Sequence, residues 1–148
     1  MTEPPVSPLT AVSWDALPVS EPLPGVQSQT VHGERQTVVR YRYAAGSIFP
    51  THTHSQEQIT VVLSGAIAFL VDGQRIVLGP GQVILIPGGT PHGAEVVGTE
   101  PVESINSLSP RRVDPLSLPG DGSPAVRTGE GQPALDARRL VAPPGRGV

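Results

Sequence analysis

Between about residues 26 and 112, apolar side chains recur at every second position or in short runs bounded by turn residues, the pattern of half-buried strands. Gln36–Ala44 alternates Val, Arg and Tyr. Ile59–Leu63 runs to Ser64-Gly65, and Ala66–Val71 follows. Asp72-Gly73 is a strong two-residue hairpin signal, because both residues tolerate positive φ; Gln74–Leu78 returns from it. Gly79-Pro80-Gly81 turns the chain into Gln82–Ile86, and Pro87-Gly88-Gly89 interrupts it again. Ala94–Val97 and Val102–Leu108 complete the set. No amphipathic helical stretch of useful length competes with this reading, so the fold class is all-β.

Prolines divide the chain. Six of the 18 fall in residues 1–25, six in 26–112 and six in 113–148. The organisation expected is a Pro-rich N-terminal arm at 1–25, one β-barrel domain at 26–112 and a Pro/Gly-rich disordered tail at 113–148. Trp14 and Leu17 suggest that the arm packs on a partner subunit, and Pro133–Val141 is the tail's one candidate for a helical turn.

The net charge of −3 and the absence of any long basic run give no reason to expect a nucleic-acid partner. No apolar stretch approaches a membrane span, and the first residues do not resemble a secretory signal. The expectation is a cytoplasmic protein. With no cysteine in the chain, disulfides, iron–sulfur clusters and thiol chemistry are excluded, and a metal would have to be held by nitrogen and oxygen.

Three of the four histidines stand where they make mutual sense. On a strand, His52 and His54 would point to one face, Gln58 has the same parity, and His92 arrives after the Pro87–Pro91 turn. A His-x-His pair alone is weak, since two exposed strand histidines look the same. The spacing around it is more specific. Gly46 precedes His52-Thr53-His54 by five residues, Gln58 follows after three more, and Gly65 after another six. Five residues separate Gly81 from Pro87, and Gly89 and His92 follow. This resembles the two motifs of the cupin superfamily, GxxxxxHxHxxx(E)xxxxxxG and GxxxxxPxGxxH, over roughly residues 30–110. The resemblance implies a cupin-type double-stranded β-helix, a jelly-roll-like barrel, with one divalent metal ion (Zn, Fe, Ni or Mn) held by His52, His54, Gln58 and His92.

Two positions depart from the pattern: Gln58 replaces the usual Glu, and Val96 stands where Asn is frequent. With three neutral imidazoles and a neutral amide, the ion keeps its full formal charge. It is then a stronger Lewis acid, though held less tightly than with a carboxylate. Glu57 is the candidate rescue, but regular pleating turns it outward unless a bulge at Ser55-Gln56 intervenes. Tyr41 and Tyr43 share one face of their strand and Arg40 and Arg42 the other. One pair faces the interior, and the sequence leaves open which. Glu57, Tyr41, Tyr43, Arg40 and Arg42 are thus the catalytic candidates. Ser104 and Asn106 share a parity suited to supporting a ligand histidine, and His32 reads as a surface histidine. Phe49, Phe69, Val62, Ile84 and Ile86 read as core or pocket lining.

The resemblance implies a small-molecule substrate. The reading preferred is a metalloenzyme acting on an oxygen-rich metabolite by Lewis-acid and proton-transfer chemistry, as a cyclase, isomerase or lyase. The alternatives are an iron-dependent dioxygenase and a metal-dependent binding protein without turnover. A barrel of this size would gain from forming a homodimer through an outer sheet face. Metal affinity is expected to fall as pH drops through the ordinary imidazole value of about 6.5.

Overall fold

The computed structural model describes residues 9–112 and 135–136. After a 3-10 turn at Trp14–Ala16 the strands are β1 (Ser20–Leu23), β2 (Val26–His32), β3 (Thr37–Tyr43), β4 (Ile48–His52), β5 (Glu57–Ser64), β6 (Ala66–Val71), β7 (Gln74–Leu78), β8 (Val83–Ile86), β9 (His92–Val97), β10 (Val102–Ser109) and β11 (Leu135–Asp136). They form two sheets. One runs β1-β2-β3-β10-β5-β8 with β11 beside β2, and the other runs β4-β9-β6-β7. Every pairing is antiparallel except β11 with β2. The architecture is the all-β cupin barrel. Among the described residues no helix is long and apolar enough to cross a membrane.

Alternation sets the core. On β3 the odd residues Thr37, Val39, Tyr41 and Tyr43 are buried, and on β10 the even residues Val102, Ser104, Asn106 and Leu108 are. The inward residues of both sheets meet in one cluster that includes Val39, Phe49, Val62, Ile67, Phe69 and Ile86, with Ile84 packed at its margin. Burying such side chains is worth about 1.5–3 kcal/mol each and drives the closure of the barrel.

Between Trp14 and residue 25 the chain lies on its own barrel. Gln29 Nε2 donates to the carbonyl oxygens of Trp14 (2.7 Å) and Leu17 (3.2 Å), Leu17 is buried, and β1 pairs with β2. The tail expected at 113–148 lies outside the described residues except at Leu135–Asp136, which is extended against Val31 and His32.

His32 departs from the surface reading. It is buried at the end of β2, where its register partner is Thr37 and its Nδ1 lies 2.8 Å from Thr37 Oγ1. Strand β2 was not separable in the sequence because its interior positions include Ser28 and Thr30. Their hydroxyls hide the apolar alternation, yet both are buried.

Candidate metal centre

The site is built where the two sheets face each other. His52 ends β4 and His92 begins β9, and the β4–β9 register sets them directly opposite. His54 lies beyond β4, in the bend leading to β5, so regular strand parity does not place it. Gln58 reaches inward from β5, in the other sheet, between the register partners Ile86 and Leu108. The Pro87–Pro91 turn folds over the bend: Gly89 N–H donates to His54 O at 2.8 Å, and Gly88 lies against Ser55. A Cβ at position 88 would stand 2.3 Å from Ser55 O, a distance no side chain occupies, so glycine permits the approach that brings His92 to His54.

The ligand atoms of His52, His54 and His92 all lie within 4.8 Å of one another. Each ring is oriented by a backbone carbonyl two residues away. His52 Nδ1 donates to Pro50 O (2.9 Å), His54 Nδ1 to Gln56 O (3.0 Å) and His92 Nδ1 to Thr90 O (2.7 Å). A carbonyl only accepts, so each Nδ1 carries the proton and each Nε2 is left as a lone pair. Gln58 Oε1 lies 3.1 Å from His54 Nε2 and 3.2 Å from His92 Nε2. Acceptors therefore converge on a shared point.

Either a proton or a metal ion would reconcile them, and the fold opposes the proton. Burial, reinforced by His92, pushes the His52 imidazole down to about 3. Burial and Arg112 push His54 down to about 4. Burial also lowers His92, with Arg112 adding to it. A cluster of buried or half-buried, neutral, pre-oriented nitrogens with an amide oxygen is the donor chemistry of a divalent transition-metal site.

These shifts correct the expected pH dependence. Because each folded-state pKa lies below the ordinary 6.5, protons compete with a metal only at lower pH. Zinc affinity is expected to change by less than about threefold between pH 7.5 and pH 6, where three ordinary imidazoles would lose roughly fiftyfold. Titration calorimetry at the two pH values measures it, and the larger loss would contradict the arrangement. The same lowered values act on folding as well. The unfolded chain binds more protons below 6.5, so the metal-free protein loses stability as pH falls from there toward 3.

The tyrosines, not the arginines, face inward. Tyr41 and Tyr43 line the pocket beside His52, Gln58 and His92, together with Phe49, Phe69, Asn106, Leu108 and Arg112. Burial raises both phenols, so they stay protonated. Arg40 and Arg42 are the correction: both sit on the outer face, where Glu103 holds them at 3.2 and 3.5 Å. Their register partners on β10 include Glu103, which pairs with both guanidinium groups, the largely covered Arg40 and the exposed Arg42. Glu57 also points outward and is exposed, so no bulge brings it to the histidines. Ser104 bonds Tyr43. Asn106 supports the site through Thr60 and Gln58, not through a histidine: Gln58 Nε2 donates to Thr60 Oγ1 (2.9 Å), whose hydroxyl donates to Asn106 Oδ1 (3.0 Å).

Sequence reasoning missed Arg112, which is buried and lines the pocket. Strand parity gave no signal for it, since β10 ends at Ser109 and Pro110, the even residue between Leu108 and Arg112, is exposed. The Arg112 backbone N–H donates to Thr37 Oγ1 at 2.9 Å, pinning the segment beyond β10 over the barrel mouth.

Comparison with known proteins agrees with this fold. Residues 39–107 match the family model for the cupin domain. The acireductone dioxygenase of Rhodopseudomonas palustris strain TIE-1 is 31% identical over 103 residues, 67% of this chain. The chain spans 61% of the length of that relative. Among solved structures, KdgF from Halomonas sp. superposes with a TM-score of 0.60 at 28% identity, covering 64% of this chain and 87% of that one. The polyketide cyclase RemF from Streptomyces resistomycificus gives a TM-score of 0.65 at 17% identity over 77% and 87% of the two chains, a likeness of fold. Strand order, motif-bearing turns and these matches make the chain a member of the cupin superfamily.

Proposed function

We propose that this cupin is a metal-dependent enzyme that acts on a small, oxygen-rich metabolite by Lewis-acid and proton-transfer chemistry, of cyclase, isomerase or lyase type. The observation that carries the reading is the convergence of three neutral Nε2 atoms and the Gln58 oxygen beside a pocket that is also lined by Arg112. His52, His54, His92 and Gln58 would hold one divalent ion. When bound, the ion supplies polarisation of a substrate oxygen, strengthened by the absence of any carboxylate among its donors.

The chain's own residues supply the rest. Arg112 brings a fixed positive charge to the pocket and suits a substrate carrying a carboxylate or an enolate oxygen. Phe49, Phe69, Tyr41 and Tyr43 line the pocket with apolar surface beside His52, Gln58 and His92, where they would exclude water from the reacting atoms. With their phenols held protonated, Tyr41 and Tyr43 serve as hydrogen-bond or proton donors to substrate oxygen and not as bases. We also propose a homodimer. Exposed Ile59, Val83 and Leu85 on the outer face of β5 and β8 support it, and light scattering reads it directly.

A second reading, an iron-dependent dioxygenase, is favoured by the identity to acireductone dioxygenase. Metal analysis after anaerobic purification, followed by oxygen-electrode assays across a panel of keto acids, enediols and phenols, separates the two. The Lewis-acid reading expects turnover with zinc or another redox-inert ion and no oxygen uptake. Bound iron with substrate-dependent oxygen consumption would replace it by the second.

A further inference from the structure

Gln58 is a donor whose two ends differ in sign. Its carbonyl oxygen can face a cation, whereas its NH2 would repel one and would instead donate to the imidazole lone pairs. A half-turn of the amide exchanges the two ends with almost no change of shape, so Gln58 alone does not settle which end meets the histidines. Two side chains outside the ligand set bear on that choice. Thr60 is fully buried two residues along β5, and Asn106 is its register partner on β10. With Asn106 turning its Oδ1 to Thr60, the Thr60 hydroxyl directs its proton there at 3.0 Å, so toward Gln58 it can only accept. It accepts from Gln58 Nε2 at 2.9 Å, which leaves Oε1 as the end turned to His54 and His92.

We propose that Thr60 and Asn106 are positioning residues for the metal: they fix the polarity of the Gln58 amide so that its oxygen faces the imidazoles. This deepens the metal reading given above and rests on it. Without Thr60 the amide turns over, because NH2 groups facing two lone pairs are favourable in the cation-free site. The cavity is then closed by N–H donors. The relay thus holds Gln58 in the orientation that suits a cation and disfavours the cation-free arrangement.

Zinc titration calorimetry on the full chain tests this. Thr60→Val is expected to weaken binding at least tenfold, in the range usual for loss of a partner that orients a ligand. Thr60→Ser, which keeps the hydroxyl, stays within about threefold of the parent. In a Gln58→Glu background the same Thr60→Val change should cost less than about threefold, because a carboxylate presents an oxygen whichever way it turns. Equal affinity for the Val and Ser variants, or an undiminished loss in the Glu background, would overturn the proposal while leaving the metal reading intact. Should circular dichroism show that Thr60→Val does not fold, Asn106→Ala removes the relay's acceptor and decides by the same comparison of backgrounds. A parent chain that takes up no zinc, cobalt, nickel or iron overturns both readings together.

Discussion

Replacing His92 by alanine is expected to lower zinc affinity at least a hundredfold while leaving the metal-free barrel as stable as before, within about 1 kcal/mol. The two halves of this outcome have different causes. Removing one of three imidazole donors leaves two nitrogens and a neutral amide, too few to hold the ion against water. A histidine that served only to pack the core would behave in the opposite way, because truncating a buried ring opens a cavity costing several kcal/mol. Here the truncation also removes one of the acceptors crowded around the shared point, with Gln58 Oε1 only 3.2 Å from His92 Nε2. Relief of that opposition offsets the lost packing. Calorimetric titration and thermal denaturation in chelator measure the two quantities separately. The parent's melting temperature should rise with added zinc, by linkage of about 2.7 kcal/mol at a hundredfold excess over Kd, and the variant's should not.

Gly65→Ala is expected to destabilise the barrel by about 3 kcal/mol. Gly65 joins β5 to β6 at φ +78°, where an L side chain costs about 1–2 kcal/mol. A Cβ there would also lie 2.3 Å from Pro101 O and 2.9 Å from Val102 Cγ2, so the start of β10 has to move. Gly73 is the internal control. It has nearly the same φ, +79°, but nothing within 4 Å of the position its Cβ would take. Gly73→Ala should therefore cost only about 1 kcal/mol. Urea denaturation of the two variants, read against the parent, gives the difference. Equal losses would show that crowding at the β5–β6 junction does not contribute.

The strands that carry strict alternation were legible in the sequence, and so was the Asp72-Gly73 hairpin, whose residues both adopt positive φ. Histidine spacing singled out three residues that the fold brings together, but the geometric reason differed. Parity along one strand does not join His52 to Gln58, because a bend carries the chain from one sheet to the other between them. Glycine spacing carried that information indirectly, through the contact of Gly88 with Ser55.

What the sequence could not decide was which face of β3 turns inward. Tyrosines and arginines alternate there, and the choice is made across the strands. Glu103 on β10 offers the arginines a partner on the outer face, while Phe49 receives Tyr41 edge-on, with ring centroids 6.0 Å apart, on the inner one. His32 and Arg112 were hidden for a related reason. Both are polar groups whose burial depends on Thr37, a residue with no chemical signature of its own.

In the proposed metal centre the imidazoles of residues 52, 54 and 92 and the amide of residue 58 bind a single ion. Anomalous diffraction from crystals soaked in a zinc salt tests it most directly. One strong peak per chain is predicted, about 2.0–2.2 Å from each of the three Nε2 atoms and from the Gln58 oxygen. A peak elsewhere on the molecule, or no peak within bonding reach of those four atoms, would contradict it.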